Sequence, residues 1–192
     1  MNALDAILKR RSCRRFIGSK SIPADIIENL LECARLAPSA TNRQPLKYYV
    51  VSSEQTAKEV FGSIWWAGHI KNGAPAEGER PVLYIVVFAD KSLKTGNETL
   101  DAGAAIENML VYATSEDIGS CWFGAIDKKK LYGITGVDEE QHDMLAVVAF
   151  GYRLEEHSVF DMRDGDVKYY RDADRIHHVP KRPISEIVLG HK

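Results

Sequence analysis

The chain has 192 residues, 45% of them hydrophobic and 27% charged, the composition of one folded domain. Lys and Arg number 25 against 27 Asp and Glu, a net charge of −2, which argues against a chain-wide nucleic-acid footprint. No apolar run approaches the roughly 20 residues that span a bilayer, and at the N-terminus the basic cluster follows the short apolar stretch, the reverse of a signal peptide, so a cytoplasmic protein is expected.

In chain order, NALDAILK (2–9) reads as a short helix with Leu4, Ile7 and Leu8 on one side. The basic stretch KRRSCRRFIGSKS follows without an apolar stripe. SIPADIIENLLECARLAPS is a strong amphipathic helix: Pro23 sits at a first-turn position, Ile26, Ile27, Leu30, Leu31 and Ala34 form the stripe, and Pro38 ends it. LKYYVVS (46–52) is a strand, 54–62 is helical, and 63–80 is a loop with an unusual Trp65–Trp66 pair. PVLYIVVFA (81–89) is apolar enough to be buried on both faces. Residues 99–117 form a helix rich in small residues, closed by Gly119; CWFGAI (121–126) is a short strand, DKKKLYGIT a short helix and MLAVVAFGYR (144–153) another strand. The polar tail from 154 to 182 is expected to wrap over something rather than build a core, with ISEIVLG as a last apolar anchor. This order fits an α+β, three-layer sandwich better than a βαβ repeat.

Four segments could carry chemistry. Residues 1–20 hold Lys9, Arg10, Arg11, Arg14, Arg15 and Lys20 against Asp5 alone, a local charge of +5. If 10–14 is extended, Arg10, Ser12 and Arg14 share one side, and two guanidinium forks around a hydroxyl suit a phosphate dianion; a solvated basic face, or salt bridges to the acidic second helix, are the alternatives. APSATNRQP (37–45) offers short amides and hydroxyls between fixed prolines, able to read the edge of a planar heterocycle, or forming a plain loop. GSCWFGAI (119–126) sets aromatics beside glycines that leave a backbone N–H unobstructed. KRP (181–183) could supply a second basic group for the same anion.

Other chemistries lack their signatures. There is no Walker A sequence, no dinucleotide-binding glycine spacing, no Gly-x-Ser-x-Gly elbow and no His-Glu-x-x-His, and the adjacent His177 and His178 would diverge on a strand, so no metal site is expected. Three scattered cysteines cannot make a disulfide framework. Cys33 falls in the helical pattern as a packing residue, and Cys13 stands among arginines that would make it a reactive thiol if exposed.

Together and in this order, RRSCRRF, the helix into APSATNRQP, the block DAGAAIENMLVYATSEDIGSCWFGAI and the closing KRPISEIVLG resemble the nitroreductase family in its shorter-chain branch. The resemblance covers most of residues 4–190. It implies an FMN-dependent, NAD(P)H-oxidising homodimer of α+β fold, intertwined, with flavin sites at the subunit interface and a small planar electron acceptor such as a nitroaromatic or quinone. It implies that Arg10, Ser12 and Arg14 hold the FMN phosphate and ribityl chain with Arg11 in support. Lys181 and Arg182 match a C-terminal basic element that also reaches the phosphate. Pro38, Ser39, Asn42 and Gln44 match the loop that approaches the ring from the partner subunit, and Phe123 and Gly124 the place of a backbone N–H against its redox nitrogen. No side chain is expected to act as acid or base.

Two departures stand out: Leu46 follows Pro45 where many members have an aromatic, and Phe123 precedes Gly124 where larger members have an acid. A flavin carrier or sensor, a specialised flavin reaction such as dehalogenation, and an arginine-rich nucleic-acid module remain the competing readings. Steady NAD(P)H consumption or steep salt dependence separates them.

Overall fold

A computed structural model describes residues 1–70 and 73–190. Its centre is a four-stranded antiparallel sheet of β1 (Leu46–Val51), β2 (Leu83–Asp90), β3 (Ile118–Phe123) and β4 (His142–Tyr152), in the order β1-β2-β4-β3. The apolar run of β2 is explained by its place between two strands, where Leu83–Ala89 are all buried. Period-two alternation splits the run. Leu83, Ile85 and Val87 face one layer with Val148 and Phe150 of β4; Tyr84, Val86 and Phe88 face the other with Val147 and Ala149.

The first layer holds α1 (Ala3–Lys9), α2 (Ala24–Arg35) and α4 (Glu98–Ser115). Ala102, Ala105, Ile106, Met109 and Ala113 of α4 pack under Leu30 and Ala34 of α2, so the small residues of α4 serve close packing within the chain. The second layer holds α3 (Glu54–Phe61) and α5 (Lys128–Thr135), which contribute Ala57, Val60 and Leu131. Each apolar side chain buried in these layers contributes about 1.5–3 kcal/mol. The expected three-layer α+β sandwich is present, and among the described residues no helix is long and apolar enough to cross a membrane.

Four details differ from the sequence reading. On α1 it is Ala6 that is buried, at 1%, while Leu4, Ile7 and Leu8 are exposed. The apolar stripe is real, but this chain does not cover it. Gly119 does not cap α4, whose last turn closes through Glu116 before Asp117 adopts a left-handed φ of 59°. Gly119 lies inside β3, where a Cβ would stand 2.8 Å from both Cβ and Sγ of Cys13. Cys33 is only half-buried, beside Leu36, Val111 and Tyr112 on an open groove. Lastly, the tail folds on its own chain: β5 (His157–Asp161), β6 (Tyr170–Arg171) and β7 (His177–Lys181) make a small sheet in the order β5-β7-β6, followed by the short α6 (Ile184–Ile187). Ile184, Ile187 and Leu189 beyond it are exposed.

Candidate functional site

The segment 10–17 runs across the open edge of the main sheet. Ser12 makes a parallel bridge to Ser120, Cys13 N donates to Ser120 O at 2.8 Å, and Ile17 N donates to Tyr152 O at 2.8 Å. The close crossing needs Gly119 beneath Cys13 and Gly151 beneath Phe16, where a Cβ would meet the Phe16 ring at 2.9 Å. Cys13 and Phe16 are fully buried and Arg15 is 8% exposed, while Arg10, Arg11, Ser12 and Arg14 are half-buried. Arg15 is structural: it donates to Gly73 O at 2.9 Å and pairs with Glu79 at 2.9 Å.

The remaining arginines are gathered and short of acceptors. Arg10 Nε stands 2.8 Å from Glu107 Oε1 of α4, near enough for an ion pair but off the hydrogen-bonding direction. Arg11 spends one N–H on Arg10 O, and Arg14 donates to Ser12 O at 3.3 Å and lies over the Tyr169 ring at 4.8 Å. Among the described residues nine side-chain polar atoms are buried without a hydrogen-bond partner, and three of them are Nε of Arg10, Arg11 and Arg14. Leaving such donors unpaired costs about 1–3 kcal/mol each. An anion with several oxygens relieves that cost, and a phosphate group fits this donor set.

Under the arginines lies a buried network that the sequence did not disclose. Glu155 accepts from the Arg14 backbone N–H and from Arg171 Nε at 3.2 Å. Burial alone would raise the Glu155 carboxyl, but these donors outweigh it and hold it below its usual range. His157 Nε2 lies 3.3 Å from Ser12 O, and burial lowers its pKa against the pull of Glu155. His177 is 1% exposed and is lowered to about 4, by burial first and then by Arg14. His178 points away to Asp172 at 2.7 Å, the divergence expected of neighbours on a strand. Ligand-type atoms of Cys13, Glu155 and His157 lie within 4.8 Å of one another. All three are already engaged, Cys13 Sγ by Arg15 O at 3.1 Å, and the adjacent guanidiniums oppose a metal cation.

The loop after α2 is held from α4: Ala40 N donates to Asp101 Oδ1 at 2.9 Å, and Asp101 is 5% exposed. Thr41, Asn42 and Gln44 all have left-handed φ, 52°, 54° and 52°. Strain of this kind persists only where the surroundings enforce it and concentrates at functional sites. Ser39 Oγ accepts from Gln44 N at 2.9 Å, and Pro38, Asn42 and Gln44 are exposed; Pro38, Ser39 and Gln44 help to line a groove of about 420 Å³.

At the end of β3, Phe123 is buried edge-on against Trp66 at 4.6 Å, so its ring belongs to the core. Gly124 is exposed, with open space where a Cβ would stand. The neighbouring loop is tied here by Trp65 N donating to Ala125 O at 3.1 Å and by an Ile64–Ile126 bridge; Trp65 itself is exposed. Lys71 and Asn72 of that loop lie outside the described residues.

Lys181 and Arg182 are exposed, Arg182 pairing with Glu186 at 2.9 Å. Lys181 lies four residues along β7 from His177, about 13 Å at the usual rise of a strand. Arg10, Arg11, Ser12 and Arg14 thus come together within one chain. Among the described residues no hydrogen bond or ion pair joins them to 38–44, to Gly124 or to 181–182.

The chain is thus a three-layer α+β sandwich with an arginine cluster at one sheet edge and a strained, amide-bearing loop after α2. Comparison with known proteins identifies its family. Residues 7–92 and 79–152 match the model of the nitroreductase family. A protein of Archaeoglobus fulgidus carrying the name NADH dehydrogenase/NAD(P)H nitroreductase is 32% identical over 91% of this chain and 95% of its own. The oxygen-insensitive NAD(P)H nitroreductase of Enterobacter cloacae is 30% identical over 48% of this chain and 41% of its own. A Desulfovibrio desulfuricans structure described as a nitroreductase in complex with FMN superposes with a TM-score of 0.73 at 23% identity, covering 100% of this chain and 98% of that one. The chain belongs to the nitroreductase family, and with it to the NAD(P)H-dependent oxidoreductases.

Proposed function

We propose that the protein binds FMN between two copies of the chain, oxidises NADH or NADPH and reduces a small planar acceptor of nitroaromatic or quinone type. The observation that carries this reading is the set of three buried guanidinium Nε groups at positions 10, 11 and 14 that have no hydrogen-bond acceptor, the first of them only ion-paired to Glu107. Family membership and the FMN complex of the Desulfovibrio protein support it.

Arg10, Arg11, Ser12 and Arg14 hold the phosphate and ribityl chain, and Lys181 and Arg182 add positive charge. Pro38, Ser39, Asn42 and Gln44 of the second copy border the ring, and the backbone N–H of Gly124 faces it. When bound, FMN supplies the two-electron redox chemistry, and the protein binds, orients and tunes it. Donor and acceptor occupy one seat in turn, which gives ping-pong kinetics. The apolar stripe of Leu4, Ile7 and Leu8 and the exposed end from Ile184 to Leu189 are the surfaces available to a second copy.

The test is purification without added flavin, followed by a visible spectrum and identification of the pigment released on denaturation. About one FMN per chain is expected, in a dimer by light scattering. Protein that stays colourless after incubation with FMN overturns the reading.

A further inference from the structure

The cradle arginines are not held alike. Arg10 Nε stands 2.8 Å from a carboxylate oxygen of Glu107, which cancels part of its charge. The side chain of Arg14 has no carboxylate partner among the described residues, and the groups around it are neutral. They are the Ser12 carbonyl at 3.3 Å, the His177 imidazole at 3.2 Å and the ring of Tyr169, whose centre lies 4.8 Å from Cζ. Glu155 is close by, but it accepts from the Arg14 backbone N–H and is committed to Arg171 at 2.5 Å.

A neutral partner fixes a cation without cancelling it. An aromatic face does this through its quadrupole and leaves the charge of the guanidinium to a bound anion. Tyr169 is itself anchored from two sides. It is half-buried, with His69 edge-on at 5.0 Å and His177 at 5.4 Å. Arg171, two residues on, ties the same stretch to Glu155. Residues 163–168 before it are all exposed, so Tyr169 is the point where the tail returns from solvent to the arginine segment.

We propose that Tyr169 is a positioning residue for the bound phosphate: its ring holds the Arg14 guanidinium, its charge uncancelled, where the phosphate group of FMN is received. The proposal rests on the flavin reading and deepens it, because it gives the tail a part in the site through an uncharged side chain.

The test is fluorescence titration with FMN of the wild type, Tyr169→Leu, Tyr169→Phe, Arg14→Met and the double variant of Arg14→Met with Tyr169→Leu. Leucine fills much of the space but has no quadrupole, so Tyr169→Leu should weaken FMN binding about three- to thirtyfold, the range of a cation–π contact. Tyr169→Met takes its place if the leucine variant does not fold. Tyr169→Phe, which keeps the ring face, should bind within about twofold of the wild type. In the Arg14→Met background Tyr169→Leu should have no further effect, because the ring acts only through Arg14. Unchanged affinity in Tyr169→Leu, a loss in Tyr169→Phe as large as in Tyr169→Leu, or a full additional loss in the double variant overturns the proposal and leaves the flavin reading standing. Wild-type protein that binds no FMN overturns both.

Discussion

Arg14 donates to Nε2 of His177 at 3.2 Å across 163 residues of sequence, which places the proton of this buried neutral imidazole on Nδ1. A guanidinium can hold this contact only while the ring is unprotonated, so the arginine segment and the tail sheet are joined by a bond that acid breaks.

Stability should therefore fall as the pH drops. The folded-state pKa of His177, about 4, lies below the ordinary value of 6.5, so the unfolded chain binds the proton first. His177 then contributes stability in full above about 6.5 and loses it on the way down to about 4, by up to about 3 kcal/mol. His157 and Glu155, also lowered, act in the same direction. Denaturant melts between pH 4 and 7 should show the slope, and His177→Gln should flatten it.

Arg10→Ala and Arg14→Ala should each weaken FMN retention by about ten- to a hundredfold, the worth of a charge-assisted hydrogen bond; Arg10→Ala should leave the flavin-free protein close to its original stability, whereas Arg14→Ala also strands the buried Nε2 of His177, at about 1–3 kcal/mol. Arg15→Ala should do the reverse, destabilising the fold by about 1–3 kcal/mol because it leaves the Gly73 carbonyl without its donor and Glu79 with Arg175 as its remaining partner. Fluorescence titration with FMN and thermal melts distinguish the two. Both cradle variants purifying fully flavinated would remove the phosphate assignment.

Asp101 holds the strained loop by a single buried bond to Ala40 N. Asp101→Ala should cost about 1–3 kcal/mol and raise the KM for the acceptor as 38–44 relaxes, while Asp101→Asn, which keeps an acceptor oxygen, should recover most of both. Steady-state kinetics with a quinone acceptor reads the effect. Equal behaviour of the two variants would mean that the loop does not depend on this bond.

Alkylation should find one thiol. Burial pushes Cys13 up to about 12 and Cys121 to about 11, whereas Cys33 is half-buried on an open groove. Mass spectrometry after brief iodoacetamide treatment of native protein should show Cys33 modified and the other two protected. Rapid modification of Cys13 would show that the segment 10–17 leaves the sheet edge.

The elements that carry the fold were legible because their apolar periodicity records burial directly, as in β2 and in the stripe of α2. Periodicity says that a face is apolar; it does not say which chain covers it, and so Leu4, Ile7 and Leu8 were read correctly as a stripe and then found outside. The alternation of Arg10, Ser12 and Arg14 made their gathering on one segment legible, though not what they hold. The tail sheet was not. Its strands are pinned by Glu155, His157, Arg171 and His177, polar residues whose partners lie up to 163 positions away, and no local pattern encodes such pairs. Gly119 misled for a related reason: its missing side chain answers to Cys13, far off in sequence, and not to the helix beside it.

That crossing of Cys13 over Gly119 also orders events in time. The surface that gathers the arginines needs β3, the end of β4 and the tail sheet, all far from them along the sequence. Contacts of such long range form late, because loop closure must precede them. The arginine cluster is thus among the last parts of the fold to assemble, so an FMN bound there as proposed would load onto a finished fold and would not template one.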